Sequence, residues 1–169
     1  MPAKRARPAD IRIRKGRVTD IDALMALEHG VFTVDHLSRR SFRNFLTSPH
    51  SVLMVAEDGS GTLAGYVHVL FRPRSKAARL YSIGVVPHAA GRGIGIALLQ
   101  AGEQAARRRK APVIRLEVQP GNRVAIARYE KSGYRATGRL PGYYNDGGDA
   151  LRYEKVLSKV PGPARAKFL

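Results

Sequence analysis

The sequence lacks cysteine, and it has few acidic residues for its size. The absence of cysteine excludes disulfides and thiolate-bound metals and is compatible with a reducing compartment, so we predict a cytoplasmic protein. No apolar run approaches the length of a membrane span, and the basic start MPAKRARPADIRIRKG is not followed by the apolar core of a secretory signal, so we expect no membrane association. The five histidines have no metal-ligand spacing and no HExxH motif occurs, so we predict no metal site.

The charge is strongly asymmetric, because 30 Lys and Arg residues stand against 13 Asp and Glu residues, a net charge of +17. Such a field attracts polyanions, including the ribosome, other RNA and acidic protein segments, over a Debye length of about 8–10 Å. The cations are scattered from Arg5 to Lys167, with clusters at 39–40 and 107–110. A basic surface that is only solvated is therefore the alternative to a polyanion partner.

The chain has the size and composition of one globular domain, with 169 residues that are 44% hydrophobic and 25% charged. We predict a single domain over residues 1–157, in which residues 1–9 form a basic arm. The final stretch, SKVPGPARAKFL, contains two prolines and little periodicity, so we expect a C-terminal extension over residues 158–169.

Hydrophobic periodicity predicts alternating strands and helices along the chain. The strands are expected at residues 11–15, 51–57, 62–71, 78–86, 112–118, 134–140 and 150–157. Thr19 is expected to cap the first helix and Gly30 to end it, whereas Ser38 begins the second. A third helix follows the glycines near residue 93, and a fourth begins at Asn122 and ends at Gly133. The order β-α-α-β-β-β-α-β-α-β-β predicts the α/β class, with a single mixed sheet flanked by about four helices.

Three glycines, Gly91, Gly93 and Gly95, lie where the fourth strand gives way to the third helix. A helix N-terminus has unpaired N–H groups and the positive end of the helix dipole, so it binds phosphate readily when no Cβ atom blocks the approach. Arg92 adds a positive charge. The alternative is a flexible turn with close packing of the helix on the sheet. The pattern is neither a P-loop nor a dinucleotide fingerprint.

Three stretches, SIGVVPHAAGRGIGIALL, IRLEVQPGNRVAIARYEKSGYRATGR and YYNDGGDALRYEKVL, together resemble the GNAT superfamily of acyl-CoA N-acyltransferases. The particular likeness is to its RimI-type protein N-terminal acetyltransferases, and it covers roughly Ile11 to Leu157. The resemblance implies the GNAT fold, acetyl-CoA as cofactor, and the N-terminal α-amine of a protein or peptide as acceptor. Three features depart from the family pattern: Ala90 replaces a usual Gln or Arg, Gly91 replaces a residue that is often basic, and the usual Pro-Trp after the first helix is absent.

The resemblance also assigns residues to the cofactor. The implied cofactor-binding positions are Ile83, Gly84, Val85, Gly91, Arg92, Gly93, Ile94, Gly95, Ile96, Asn122 and Tyr129. Backbone N–H groups of Ile83, Gly84 and Val85 are expected to stabilise the oxyanion of the acyl transfer. Asn122 is expected to cap its helix and also to contact the pantetheine arm.

Two catalytic residues are implied by the same likeness. Glu117 is the candidate base, because the apolar residues of VIRLEV take one strand face and leave Glu117 on the other, alongside Arg115. The alternative is a surface glutamate paired with Arg115. Tyr129 is the candidate acid, two helical turns after Asn122, and its alternative is an ordinary core aromatic.

Tyr143 and Tyr144 precede the last strand, and in RimI-like proteins a tyrosine pair here lines the peptide side of the cleft. They and Phe32 are the predicted substrate-binding residues, with an exposed hairpin loop as the alternative for the tyrosine pair. Two other functions stay open. One keeps acetyl-CoA but places the acceptor amine on aminoacyl-RNA or a small molecule, and the other is a non-catalytic acyl-CoA-binding or ribosome-associated module.

Overall fold

The computed structural model describes residues 10–33 and 35–157, so the predicted basic arm and C-terminal extension lie outside the described residues. Within this part of the chain, seven strands form one sheet and four α-helices pack on it. The strands are β1 Arg12–Lys15, β2 Ser51–Glu57, β3 Leu63–Phe71, β4 Ala78–Val85, β5 Val113–Val118, β6 Arg135–Leu140 and β7 Ala150–Val156. The helices are α1 Ile21–Val31, α2 Arg39–Thr47, α3 Ile94–Arg108 and α4 Arg123–Lys131. The predicted element order is confirmed.

The strand order in the sheet is β1-β2-β3-β4-β5-β7-β6. Strands β4 and β5 run parallel, whereas every other neighbouring pair in the described sheet is antiparallel. The last strand, β7, therefore lies between β5 and β6. This arrangement confirms the predicted single mixed sheet of the α/β class.

Helices cover both faces of the sheet, and side-chain alternation along the strands gives each face its own core. On β3, Val67 faces α3 and packs with Leu98, whereas Tyr66 faces α1 and α2 and packs with Leu24 and Phe42. These five side chains are essentially buried. Helix α4 contributes partly buried residues to the α3 side. The face that carries α1 and α2 bears Glu117, whereas Tyr129 of α4 lies on the α3 side.

The start of α1 differs from the sequence prediction. The helix begins at Ile21, after a 3-10 turn over Val18–Asp20, and no Thr19 hydroxyl caps it. The Asp20 carboxylate accepts the turn's hydrogen bond from the Arg17 N–H (2.7 Å), and Arg14 donates to the same carboxylate (2.8 Å). This ion pair fixes Asp20 and lowers its pKa, with the Arg14 hydrogen bond as the main cause.

The predicted end of α1 at Gly30 is also wrong, because the helix continues to Val31 and Gly30 lies inside it. Gly30 has no left-handed conformation that would end the helix. The helix ends instead where the Phe32 backbone becomes extended. Glu28 holds this exit by accepting a hydrogen bond from the Leu37 N–H (3.0 Å).

The other predicted helix signals are confirmed. The Ser38 hydroxyl accepts from the Ser41 N–H (3.0 Å) at the start of α2. The Asn122 side-chain oxygen accepts from the Ala125 N–H (3.2 Å) at the start of α4. Gly133, just past the end of α4, has a φ of +95°, the left-handed conformation that glycine adopts most cheaply.

Strands β4 and β5 stay together over a short distance only. Their pairing is limited to Ala78 with Ile114 and Arg79 with Arg115, so the two strands separate beyond these residues. A register shift in the β3–β4 ladder inserts Tyr81 as a bulge directly after the separation begins. The separation opens the sheet beside the second half of β4, and the candidate site is built there.

Candidate active site

The free edge of β4 supplies backbone N–H groups to the opening between β4 and β5. The Val86 N–H donates to the Ala64 carbonyl (2.9 Å), and hydrogen-bonded pairs alternate along an antiparallel ladder. Ile83 and Val85 therefore direct their N–H groups away from β3 and towards the opening. Gly84 instead pairs with Tyr66 in the ladder, so the expected use of its N–H for the oxyanion is wrong.

Gly84 has no side chain, and this allows Val31 and Phe32 to pack closely against β4. A Cβ atom there would lie 3.1 Å from Val31 Cγ1 and 3.3 Å from Phe32 Cε2, closer than these neighbours tolerate without moving. The Phe32 ring is therefore in contact with β4 at the opening. The substrate-binding role of Phe32 stays a prediction.

The glycine-rich loop connects the end of β4 with α3. Gly91 and Gly93 have φ values of +78° and +77°, and a Cβ atom at either position would meet nothing within 4 Å. The glycines are thus required by the backbone conformation, and the space in front of the loop is open. Gly93 is the N-cap of α3, and the Ala97 N–H donates to its carbonyl (3.0 Å).

The first turn of α3 faces the same open space. The N–H groups of Ile94, Gly95 and Ile96 precede the first intrahelical hydrogen bond, so they are available to an anion. Ile94 is buried, which anchors the turn, whereas Ile96 is exposed. Arg92 lies half-buried within the loop. The loop thus presents N–H groups and the positive end of the helix dipole to open space, an arrangement that suits an anionic group such as a phosphate.

Glu117 lies on β5 and faces the side of the sheet that carries α1 and α2. Its side chain is only 7% exposed and accepts hydrogen bonds from Arg79 Nε (3.2 Å) and Arg152 NH2 (3.3 Å). The predicted orientation is confirmed, but the expected alternative partner is wrong. Arg115 pairs instead with Glu154 at 2.7 Å.

The tyrosine pair of the β6–β7 connection lies over this cluster. Arg79 donates a hydrogen bond to the Tyr143 hydroxyl, and the rings of Tyr143 and Tyr144 meet edge to face with centroids 5.0 Å apart. The Asn145 amide donates to Asp35 Oδ1 (3.2 Å), which joins the β6–β7 connection to the α1–α2 connection across the cleft. Tyr143 itself is exposed, as the hairpin-loop alternative expected, so the substrate-binding role of the pair stays a prediction.

Tyr129 lies on α4, half-buried against the core, with its ring edge to face with Tyr134 (centroids 5.6 Å apart). Burial raises the pKa of Tyr129 to about 12, opposed by the nearby Arg128 charge, so the hydroxyl carries its proton at neutral pH. Burial likewise raises the pKa of Tyr144 to about 12, and the neighbouring Tyr143 and Glu117 add to that rise. Tyr144 therefore lies near Glu117.

Three residues of the cleft escaped the sequence analysis: Arg79, Arg152 and Tyr81. The arginines reach Glu117 from the two strands beside β5, and only the order of the sheet could have identified them. Tyr81 is brought into the cleft by the bulge, where the Arg79 guanidinium lies 5.4 Å from its ring centroid. The sequence carried no signal for the bulge.

A buried hydrogen-bond chain supports the Phe32 side of the cleft. The Tyr66 hydroxyl donates to Glu28 Oε2 (2.6 Å) and lies 2.7 Å from the Ser82 hydroxyl. Desolvation raises the pKa of Tyr66, with Glu28 adding to the rise. The chain links α1, β3 and β4, and it holds the α1–α2 connection against the strand that bears Gly84.

No group of three His, Asp or Glu side chains suited to a metal ion occurs in the described residues. In the same part of the chain, no helix combines the length and apolarity of a bilayer span.

A mixed sheet that opens between two parallel strands, with a glycine-rich helix N-terminus beside the opening, defines an acyl-CoA-dependent N-acyltransferase. Residues 21–134 match the acetyltransferase (GNAT) family, and the chain belongs to that family. The protein is therefore an N-acetyltransferase, and its acetyl donor is acetyl-CoA. The predicted family, enzyme class and cofactor are confirmed.

Among curated relatives, the chain is 37% identical over 113 residues to the N-alpha-acetyltransferase RimI of Mycobacterium tuberculosis, covering 65% of this chain and 69% of the relative. It is 29% identical over 140 residues to a candidate ribosomal protein bS18-alanine N-acetyltransferase of Bacillus subtilis, covering 82% and 91%. A mycothiol acetyltransferase of Propionibacterium freudenreichii is 31% identical over 149 residues, covering 80% of this chain, which spans only 46% of that relative.

The fold also matches solved structures. The ribosomal-protein-S18-alanine N-acetyltransferase of Escherichia coli superimposes with a TM-score of 0.77 at 24% identity, covering 88% of this chain and 94% of the other. At this identity the likeness concerns the fold, and it confirms the predicted GNAT architecture.

Proposed function

We propose that the protein transfers an acetyl group from acetyl-CoA to the N-terminal α-amine of a protein or peptide, with Glu117 as base and Tyr129 as acid. The observation that carries the proposal is the position of Glu117. Its carboxylate is almost fully buried on the strand that borders the opening, and Tyr143 lies against Arg79, one of its two hydrogen-bond partners. A glutamate on a solvated surface would have no such cover.

The proposed donor-binding residues lie at the free edge of β4 and in the glycine-rich loop. Acetyl-CoA supplies an acetyl group activated as a thioester. The loop and first helical turn, residues 91–96, bind its diphosphate through backbone N–H groups and the positive helix end. Ile83 and Val85 direct N–H groups to the developing oxyanion, and Gly84 keeps the strand free of a side chain there. Asn122 contacts the pantetheine arm, as the family likeness implies.

Glu117 accepts the proton that the acceptor must lose. An α-amine has a pKa near 8, so at pH 7 most of it is a cation that cannot attack. A carboxylate beside the cleft removes that proton directly or through one water. Arg79 and Arg152 fix the carboxylate from two sides, which holds it in one orientation while it awaits the acceptor.

Tyr129 supplies the proton to the departing sulfur. Its raised pKa keeps the phenol protonated at neutral pH, so the group is an acid and not a base under working conditions. The half-buried position against Tyr134 limits the rotation of the ring. Its place on α4, whose start is capped by Asn122, puts it on the helix that borders the cofactor side.

The acceptor is proposed to be a protein N-terminus, because relatives named N-alpha-acetyltransferase RimI and ribosomal protein bS18-alanine N-acetyltransferase share the domain. Phe32, Tyr143 and Tyr144 line the side of the cleft that such a terminus would occupy. A ribosomal protein is thus a candidate acceptor, and a cytoplasmic location goes with it. Both stay predictions.

A small-molecule amine is the second candidate acceptor, because mycothiol acetyltransferases are also relatives at about the same identity. The aminoacyl-RNA acceptor rests only on the net charge. A non-catalytic module is the remaining alternative, and the buried, doubly hydrogen-bonded Glu117 gives it no support.

The test is a peptide-library acetylation screen with mass spectrometry of the products. Peptides with free N-termini are incubated with acetyl-CoA and the protein, and an identical library with blocked N-termini serves as control. We expect acetylation of the free α-amine and none of blocked peptides that carry lysine. Transfer to a small-molecule amine without any peptide product would favour the second candidate. Tight binding of coenzyme A without turnover on any amine would favour the non-catalytic module.

A further inference from the structure

Seven exposed cations from two distant parts of the sequence meet at the end of the sheet opposite the cofactor loop. We call this surface the basic end. It consists of Arg72, Arg74 and Lys76 in the β3–β4 connection and Arg107, Arg108, Arg109 and Lys110 at the end of α3. The two segments border one cavity of about 470 Å³, and neither contains an acidic residue.

In the part of the chain that the structure describes, no acidic side chain neutralises the cations of the basic end. None of its seven side chains forms a salt bridge with a carboxylate within residues 10–33 and 35–157. The cations that do form such pairs are Arg14, Arg39, Arg79, Arg115, Arg139, Arg152 and Lys155. The basic end is therefore a local cluster of seven cations without a carboxylate partner among the described residues, on a chain whose net charge is +17.

The two segments are fixed relative to each other. The Arg109 guanidinium stacks over the Phe71 ring (4.4 Å to the centroid) and donates a hydrogen bond to the Pro49 carbonyl. In the β3–β4 connection, the Ser75 N–H donates to the Arg72 carbonyl (3.0 Å), which closes a turn. The cations are thus presented on an ordered backbone.

Lys110 occupies a backbone conformation that favours glycine. Its φ is +60°, and its N–H donates to the Arg107 carbonyl (2.9 Å) at the end of α3. Glycine or asparagine is the usual residue at such a helix end, because a Cβ atom is strained there. The chain carries a lysine at this position despite the strain, which adds a charge to the basic end.

We infer that the basic end binds the phosphate backbone of RNA. Five of its seven cations are arginines, whose planar guanidinium groups suit phosphate oxygens. A loop and a helix C-terminus offer no element that enters a duplex groove, so flexible single-stranded RNA fits better than duplex DNA. The choice of RNA also rests on the proposed function, in which an RNA-bound ribosomal protein is a candidate acceptor.

The surface is separate from the acyl-transfer site. Helix α3 has 15 residues and is therefore about 22 Å long, with the cofactor loop at its start and the basic end at its finish. RNA at the basic end would leave the cofactor loop free. Binding there would hold an acceptor near the cleft without contacting the candidate catalytic residues.

The test uses the full chain and a fluorescein-labelled single-stranded RNA of about 16 nucleotides, the upper end of the site sizes of small single-strand-binding folds. Affinity is measured by anisotropy between 50 and 300 mM KCl. The triple variant R72E/R74E/K76E is compared with R12E/R43E/K131E, which changes the net charge equally at scattered exposed positions. We expect the first variant to lose about 100-fold in affinity at 0.1 M salt and its log–log salt slope to fall by about 2. The scattered control should stay within about threefold.

Lys110→Gly provides a second variant that should not destabilise the fold, because glycine adopts the left-handed conformation at this position without strain. Removal of the strained Cβ atom should raise the midpoint of thermal unfolding by about 2–4 °C. Loss of one phosphate contact should lower RNA affinity about fivefold at 0.1 M salt. A more stable protein with weaker RNA binding would support the inference, whereas unchanged binding would count against it.

Several outcomes would overturn the inference. Equal loss in both triple variants would show that only net charge matters. Binding of poly-glutamate at least as tight as RNA, lost in the same variant, would identify an acidic protein segment as the partner. Loss of free-peptide acetylation by R72E/R74E/K76E would show that the surface is not separate from the site. The RNA measurement needs no acceptor, so failure of the peptide screen leaves it interpretable.

Discussion

Arg79 donates a hydrogen bond to Glu117 at 3.2 Å across the point where β4 and β5 separate. Arg79 is the last β4 residue paired with β5, and Glu117 lies two residues beyond the matching position. The separation of the strands therefore leaves the carboxylate facing the opening while the arginine still reaches it. This geometry makes Glu117 the first residue to test.

Glu117→Gln preserves the size of the side chain and a hydrogen-bond acceptor for Arg79, but it removes the proton acceptor. We expect kcat/KM for a free-N-terminus peptide to fall about 100-fold at pH 7. The deficit should shrink by about tenfold towards pH 9, because the α-amine then loses its proton to solvent. Initial rates of coenzyme A release across this pH range measure both effects.

Glu154→Gln is the matched control, since Glu154 lies on the neighbouring strand and pairs with Arg115 in the same manner (2.7 Å). We expect it to keep activity within about threefold, because neither residue of this half-buried pair forms a hydrogen bond with Glu117 in the described part of the chain. A deficit for Glu117→Gln that is equal at pH 7 and pH 9 would mean that the residue orients the site and does not accept a proton.

Tyr129→Phe tests the proposed acid. The substitution leaves the ring packed against Tyr134 and removes only the hydroxyl. We expect kcat to fall about 100-fold, while the dissociation constant for coenzyme A changes by less than about threefold. Steady-state kinetics together with calorimetric titration of coenzyme A separate the two quantities.

Tyr134→Phe is the control for that experiment. The Tyr134 hydroxyl is buried without a hydrogen-bond partner among the described residues, so its removal should leave turnover unchanged. It should also stabilise the fold by about 1 kcal/mol, because an unsatisfied buried hydroxyl is unfavourable. Equal loss of turnover in both variants would assign Tyr129 a packing role only.

The sequence predicts the order of elements well, because hydrophobic periodicity and capping residues act locally. Ser38 and Asn122 cap helices as predicted, since each needs only a side-chain oxygen three residues from a free N–H. The prediction that Thr19 caps α1 is wrong because of a contact between distant residues. Arg14 of β1 fixes the Asp20 carboxylate, and this carboxylate accepts the backbone hydrogen bond at the start of the turn. A contact between separate elements decided the helix start.

The surroundings of Glu117 could not be predicted for a similar reason. Alternation along β5 gives its face correctly, but its partners depend on which strands lie beside β5. The insertion of the last strand, β7, next to β5 brings Arg152 to Glu117 and Glu154 to Arg115. Strand order is a property of the whole sheet, so the local pattern suggested Arg115 as the partner instead.

Gly93→Ala tests the phosphate cradle. A Cβ atom meets no neighbour there, so the cost comes from the φ of +77°, about 1–2 kcal/mol of stability. We expect the loop to relax away from this conformation and affinity for coenzyme A to fall at least tenfold, as measured by calorimetry. Gly138→Ala is the control, because Gly138 has free space and no left-handed conformation. Unchanged affinity in Gly93→Ala would remove the loop from the donor site.

His68 gives the fold an acid-sensitive element outside the catalytic cluster. It is fully buried on β3, its Nε2 lies 2.6 Å from the Ser51 hydroxyl, and its ring stacks on Phe45 at 3.9 Å. Tyr81 meets the ring edge to face at 5.4 Å. Desolvation lowers the pKa of His68 to about 3, so the folded protein holds it neutral.

Stability should therefore fall as pH drops below about 6.5, where the unfolded chain protonates His68 and the folded chain does not. The linkage amounts to about 2 kcal/mol between pH 6.5 and pH 5, and it continues towards the folded pKa. Urea unfolding at these pH values should show a smaller pH dependence in His68→Gln than in the unsubstituted chain. His50→Gln, at an exposed position, should leave it unchanged. An equal pH dependence in all three proteins would mean that His68 is protonated within the fold, and that the buried pocket around Phe45 admits water.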